Sequence, residues 1–400
     1  MTTVKEAEEI ILAQARDYGS EQVPFEQALG RVLAEDLKAD RDLPPCNRVT
    51  MDGIAIKYAA VESGIKTFVV KGIVAAGDVP IEIDALNECV EIMTGAALPD
   101  TTDTIVRYED VDIKNGVATL CTNNIRKGQN IHYKGKDKEQ GETVAVANEY
   151  INPAHISMAA SVGKSTLLVK KLPRVVIIST GDELVNVDET PTPYQVRRSN
   201  SYAVKAVLQQ YHLIADTLHI PDEPTITQIQ IKECLATYDV IILSGGISMG
   251  KFDYVPQVLE GLHVEKLFHK VQQRPGKPFW FGKHENGVLV LAFPGNPVST
   301  FMCLHRYFLP WLEQSLGVSS KPAFAELNED VTFTAALQYF VQVKLKICKH
   351  GHLHATPIEG HGSGDFANLL DTDAFMELPL EQSIFKKGEV YRIWPFKQIM

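Results

Sequence analysis

Four short segments of this chain hold residues whose types and spacing suit anion and metal chemistry. Ser179-Thr180-Gly181-Asp182-Glu183-Leu184 sets two adjacent carboxylates behind a glycine. Ser244-Gly245-Gly246-Ile247-Ser248-Met249-Gly250, followed by Phe252-Asp253-Tyr254, joins glycines, hydroxyls and an acid. Arg274-Pro275-Gly276-Lys277-Pro278 and Pro294-Gly295-Asn296-Pro297-Val298-Ser299 are Pro-Gly turns that carry a lysine and a serine. Glycines let backbone N–H groups approach a phosphate or oxyanion closely, and the hydroxyls of Ser244, Ser248 and Ser299 add donors. Lys277 supplies a point charge for an anion. Asp182, Glu183 and Asp253 are candidate ligands of a hydrated Mg2+ that bridges phosphate oxygens. An anion cradle beside carboxylates suits phosphoryl or nucleotidyl chemistry, where positioning and charge stabilisation matter most. No segment matches a Walker A loop or G-x-G-x-x-G, so ordinary ATPase activity and dinucleotide binding are not indicated.

Three of these segments must be positioned by buried strands. Arg174–Thr180 is a near-continuous apolar, β-branched run, as expected of a strand covered on both faces. A helix over Ser201–Gln210, a strand over Leu213–Ile220 and a helix over Thr225–Ala236 follow. Next come strands at Val240–Leu243 and Val288–Ala292, then a helix from Val298 to about Glu313. Alternation at this spacing predicts a doubly wound parallel sheet, whose ligands bind beyond the carboxyl ends of its strands. One Gly-rich turn alone reads as a tight turn; three on one sheet point to a ligand.

Around this block the pattern changes. Thr3-x-x-Glu6 is a capping box, and Val4, Ala7, Ile11 and Ala15 recur at helical spacing in a helix that Gly19 stops. A second helical stretch is expected over Phe25–Asp36, before a break at Leu43–Arg48. From Thr50 to Ala147 glycines punctuate short strands such as Thr67–Val70 and Cys89–Met93, and helical periodicity returns at Pro153–Val162. A β-rich block therefore interrupts a helical one. The last stretch is β-rich again, with Phe340–Ile347 its clearest strand. His350-Gly351-His352-Leu353-His354 would place three imidazoles on one face, a pattern that suits Zn2+, but the turn-like Gly351 and the lack of a nearby acid favour solvated hairpin histidines.

At 400 residues the chain exceeds a single core, and 45% hydrophobic with 22% charged residues excludes a mainly disordered chain. Fifty acidic against 39 basic residues give a net charge of −11, which disfavours nucleic acid and anionic membranes as partners. The six cysteines are scattered without C-x-x-C, as expected of thiols in a reducing compartment. No secretory signal and no apolar run of the roughly 18 residues a bilayer demands is found, so a cytoplasmic location is expected.

These segments together resemble the molybdopterin molybdenumtransferases, the MoeA family, which includes the E domain of gephyrin. The likeness runs along essentially the whole chain. It adds Thr50-Met51-Asp52-Gly53-Ile54-Ala55, Thr94-Gly95-Ala96-Ala97-Leu98-Pro99, Gly135-Lys136-Asp137 and Ser199-Asn200-Ser201, in order, to the four segments above. It implies a multidomain α/β fold: a helical domain I (1–45 and 138–171), an inserted β-rich domain II (46–137), an α/β domain III of the molybdopterin-binding type (172–317) and a C-terminal β-barrel domain IV (318–400). The implied reaction inserts molybdenum from molybdate into adenylylated molybdopterin and releases AMP, with Mg2+ as the usual cation. The implied assembly is a homodimer with the site in a cleft between protomers, and molybdopterin adenylyltransferase is a further implied partner.

Carried over position by position, the resemblance assigns catalysis to Asp52, Thr94, Asp137, Glu183, Asp253 and Lys277. Substrate contacts fall on Gly181, Asp182, Asp222, Ser244, Gly245, Gly246, Ser248, Pro294, Gly295, Asn296, Pro297 and Ser299, and metal ligation on Asp182, Glu183 and Asp253. Thr101-Thr102-Asp103 departs from the usual Gly-Ala-Asp, Lys136 and Lys251 stand where acids are common, and Gln342 replaces a frequent Arg. Two other readings are a molybdopterin adenylyltransferase, whose fold resembles domain III alone, and a non-catalytic binding scaffold. The clustered carboxylates argue against a scaffold, because their mutual repulsion costs stability.

Overall fold

The computed structural model describes residues 1–247, 254–319 and 321–397. Its central sheet is built from β1 (Val175–Thr180), β2 (Ala215–Ile220), β3 (Val240–Ser244), β4 (Val264–His269), β5 (Trp280–His284) and β6 (Leu289–Phe293), in the spatial order β2-β1-β3-β6-β5-β4. The four strands from β2 to β6 in that order are parallel, and β5 and β4 add an antiparallel edge, so the sheet is mixed where the sequence suggested a parallel one. The reason is connection length: His284 and Val288 close a tight hairpin through Gly287 at φ +91°, which leaves no room for a crossover helix.

Both faces of this sheet are covered, which is why its strands read as unbroken apolar runs. Every residue of β1 is buried. Val175 and Ile177 enter a core shared with α1 (Asn200–Gln210), while Val176 and Ile178 enter another shared with α2 (Pro224–Thr237) and α3 (Val255–Gly261). Because β1 leads through α1 to β2 on one side and its other neighbour is β3, the strand order reverses between β1 and β3. That reversal is the switch point at which an α/β sheet opens a crevice. The last helix of this block comprises α4 (Pro297–Cys303), a π turn at Leu304–Phe308 and α5 (Leu309–Ser315). Pro310 has no N–H for the carbonyl of Arg306, so the regular ladder is interrupted there.

The other parts frame this sheet. A six-stranded sheet lies within Gly53–Leu120, and Thr67–Val74 and Glu88–Ile92 are two of its inner strands. Near the carboxyl end, Gln338–Ile347, Leu353–Pro357, Ala323–Leu327, Val390–Pro395 and Ala374–Leu378 pair in a ring, because the last also bonds back to the first. That ring is a closed barrel. The short strand Gln273–Arg274 joins it beside Gln338 and Tyr339.

The amino-terminal helix spans Val4–Leu12 with its capping box formed, but it ends before Gly19, which instead turns the chain into the strand Ser20–Pro24. The helix expected over Phe25–Asp36 is replaced by one 3-10 turn, Phe25–Gln27. The backbone there bonds across the chain instead: Gly30 and Leu33 donate to Ile151 and Glu149, and Ala34 to Leu168. Tertiary partners thus satisfy the groups a helix would have paired internally.

Candidate active site

The loops after β1, β3 and β6 converge on one cavity of about 930 Å³ at the switch point. Gly181, Glu183, Asp222, Ser244, Gly245, Gly246, Pro294, Gly295, Asn296 and Pro297 all line it. Gly246, at φ +70°, lies so close to Thr180 that a Cβ would sit 2.7 Å from the Thr180 hydroxyl oxygen and 2.7 Å from Val255. Only glycine brings that backbone against the β1 loop. Asp182 belongs to the same loop, and its Oδ1 accepts the Asp222 N–H at 3.0 Å. The carboxylate of Asp182 thereby holds the β1 and β2 loops together.

Asn200 ties the other loops. Its Nδ2 donates to Ser244 Oγ at 2.8 Å and to the Gly295 carbonyl at 2.7 Å, with Thr300 Oγ1 at 3.3 Å. The Ser199-Asn200-Ser201 motif was visible in the sequence, but only the fold shows that this amide bridges β3 and β6. Arg197, Arg198 and Thr180 also line the cavity, as does Phe366 from a loop of the barrel region. Thr180 stands inside the Ser179–Leu184 segment without being singled out, and Arg197, Arg198 and Phe366 belong to no motif and no periodic pattern that would mark them.

Lys277 and Ser299 are placed together but elsewhere, on a neighbouring cavity of about 450 Å³ that shares Pro278, Pro294 and Asn296 with the first. Gln342 of the barrel lines it too. The Lys277 loop is fixed from below. Gln273 is fully buried; it accepts from the Tyr307 hydroxyl and donates to the Gly276 carbonyl at 3.1 Å. Gly276, at φ +88°, leaves no space for a Cβ, which would lie 2.7 Å from Cys303 Sγ. The loop after β6, which shares this cavity, is pinned to the barrel region where Asn296 Nδ2 donates to Ser363 Oγ at 2.7 Å.

Asp52 and Thr94 meet at the end of the interrupting block's sheet, just outside the strands Gly53–Ile56 and Glu88–Ile92. Asp52 Oδ1 accepts from Thr94 N–H at 2.6 Å and Thr94 Oγ1 at 2.7 Å, and these bonds hold its carboxyl below the ordinary 3.8. Asp137 contacts His132 Nε2 at 2.8 Å beside the exposed Lys136. Neither the Asp52–Thr94 pair nor Asp137 is among the residues lining the Glu183 cavity. Ser248, Lys251 and Asp253 lie outside the described residues. Among those described, no group of three or more His, Cys, Asp or Glu side chains converges as a metal site. His350, His352 and His354 accordingly form no such group, and His352 faces Glu326 at 3.8 Å. No helix among the described residues is long and apolar enough to cross a membrane.

Comparison with known proteins bears on the whole chain. Family models described as MoeA N-terminal region (domain I and II), Probable molybdopterin binding domain and MoeA C-terminal region (domain IV) match residues 2–163, 176–314 and 325–396. The chain belongs to the MoeA family. Within that family it is 38% identical to the molybdopterin molybdenumtransferase of Synechocystis sp., over 98% of this chain and 99% of the relative. It is 29% identical to that of Staphylococcus aureus, over 98% and 94%. The MoeA fold is also seen in the crystal structure of a molybdopterin biosynthesis MoeA protein from Pyrococcus horikosii, which covers 100% of both chains at a TM-score of 0.85 and 27% identity.

Proposed function

We propose that this chain acts as a molybdopterin molybdenumtransferase. It takes molybdate and adenylylated molybdopterin, inserts molybdenum at the dithiolene and releases AMP, the last step of molybdenum cofactor biosynthesis. The observation that carries this reading is the meeting of the Gly181, Gly245–Gly246 and Gly295 loops with Glu183 and Asp222 in one cavity. Backbone N–H groups and loop hydroxyls there suit the phosphates of an adenylylated substrate.

Glu183 and Asp222 are hard oxygen donors on the cavity wall, and Mg2+ needs only one or two carboxylates because phosphates and water complete its shell. The residues therefore fit Mg2+, with Asp253 a further proposed ligand and Asp182 bracing the Asp222 loop. Bound there, the ion would neutralise charge on the phosphoanhydride as AMP leaves. Lys277 and Ser299 in the adjoining cavity suit the oxyanion molybdate, which Lys277 attracts as a point charge. The wall shared through Pro294 and Asn296 keeps the two substrates adjacent, and fixed juxtaposition of reactants is itself a large part of catalysis.

Asp52, Thr94 and Asp137 do not line this cavity within one chain, which supports a homodimer in which a second copy brings them to it. Molybdopterin adenylyltransferase, which makes the adenylylated substrate, is the proposed upstream contact. The test is AMP release from adenylylated molybdopterin by the purified protein, with and without molybdate and Mg2+. Molybdate-dependent release with cofactor formation is the expected result. Tight binding without release would indicate a scaffold, and no binding would overturn the reading.

A further inference from the structure

One wall of the large cavity is left unused by the mechanism above. Thr180 is only 6% exposed, yet its Oγ1 has no hydrogen-bond partner among the described residues. The same holds for Nε of Arg198, which is buried at the atom level. Both residues line the cavity, with Arg197 beside them. Polar groups buried in a native fold are normally paired, so two orphans on one wall mark a place where a ligand completes the bonding.

The electrostatics agree. Among the described residues six arginines, Arg16, Arg31, Arg107, Arg174, Arg306 and Arg392, are paired with carboxylates; Arg197 and Arg198 make no ion pair, and of the arginines without one they alone line this cavity. With 50 acidic residues against 39 basic ones, the chain has no shortage of partners for them. Arg198 also directly precedes Ser199, the N-cap of the 11-residue helix α1, which has no side-chain cap and no acid in its first turn. The positive end of that helix therefore adds to the guanidinium charge. Hydroxyl, guanidinium and helix terminus are all donors, so their ligand must be rich in acceptors and anionic. Glu183 and Asp222 share the cavity, which disfavours a bare anion and favours one that arrives with a divalent cation.

We infer that Arg198, with the Thr180 hydroxyl and the uncapped start of α1, binds the phosphoanhydride of the nucleotide-linked substrate. This rests on the function proposed above and names the residues that recognise the substrate's adenylylated form. Arg198 is a binding residue here, and the fork of its guanidinium matches paired phosphate oxygens in a way that lysine cannot.

The test is calorimetric titration of the full chain with ADP in magnesium-containing buffer, alongside steady-state AMP release. Arg198→Gln is expected to weaken ADP binding by about tenfold or more, as loss of a charge-assisted pair implies. It should raise KM for the adenylylated pterin by a similar factor while kcat at saturation holds, the pattern of lost uniform binding. Arg198→Lys should recover part of the affinity, and it carries the test if the glutamine variant does not fold. Equal ADP affinity in the wild type and both variants, or a fall in kcat with KM unchanged, would overturn the assignment. Molybdate-dependent AMP release by the wild type would leave the insertase reading standing in that event, whereas its absence would remove both.

Discussion

The Nδ2 of Asn200 has two hydrogens, and they serve the two short bonds to Ser244 Oγ and the Gly295 carbonyl. One side chain thus fixes the spacing between the loops that follow β3 and β6. Truncation to alanine strands these acceptors in a partly buried setting, at a cost of about 1–3 kcal/mol. Asn200→Ala is therefore expected to lower the urea midpoint by an amount equivalent to that cost. Because the cradle loops drift apart, kcat/KM for AMP release should also fall by about tenfold or more, which corresponds to roughly 1.4 kcal/mol. An unchanged kcat/KM in a folded variant would show that the cradle does not depend on this tie. The residue was legible as part of a motif, and its role was not, because Ser244 and Gly295 approach it only through tertiary contacts.

At the scale of elements, the π turn Leu304–Phe308 shows how a helix can be read correctly and still hide a feature. Apolar periodicity gives one helix from Val298 to about Glu313, and nothing in that pattern marks the widened turn. The turn buries His305, whose Nδ1–H donates to the Phe301 carbonyl at 2.8 Å between the rings of Phe301 and Phe396. Burial pushes its pKa from 6.5 down to about 4, so the folded state holds a neutral imidazole. Below 6.5 the unfolded chain binds a proton that the folded chain refuses. The stability contributed is complete above 6.5 and declines as pH falls towards 4. Between pH 7 and pH 5 the loss is about 2 kcal/mol at 1.36 kcal/mol per unit. Denaturation at both pH values should show this decline in the wild type and a decline smaller by that amount in His305→Phe. Parallel pH dependence in the two proteins would contradict the burial argument.

Across the whole molecule, Arg306 joins three parts of the chain. It is 2% exposed, with its NH2 group 2.9 Å from Glu8 of the amino-terminal helix and Nε 3.1 Å from Glu377 of the barrel. Its guanidinium also lies 4.5 Å from the centre of the Trp394 ring, and Trp394 Nε1 donates to Glu377 at 2.7 Å. Breaking a buried pair by removing one partner costs about 3–5 kcal/mol, because the remaining charge is left uncompensated. Arg306→Met should therefore lower the unfolding free energy by that order and speed proteolysis between the α/β block and the barrel. Retention of both properties would mean that apolar packing alone joins the two. The barrel's position matters to the site, since Ser363 and Gln342 reach the loops of Asn296 and Lys277.

What the sequence alone determined was local. The strand Val175–Thr180 announced burial on both faces, Thr3 and Glu6 announced a helix start, and the glycines at 181, 245, 246 and 276 announced tight loops, whose backbone takes positive φ there. Each of these rests on interactions a few residues apart, so each leaves a short-range pattern. The tertiary structure decided the rest. It turned Phe25–Asp36 from a helix into cross-chain bonding, sent Lys277 to a second cavity instead of the glycine cradle, and brought Arg198 to the wall of the first. Those outcomes depend on hydrogen bonds and packing between segments far apart in the chain, and no local spacing records which distant groups will meet.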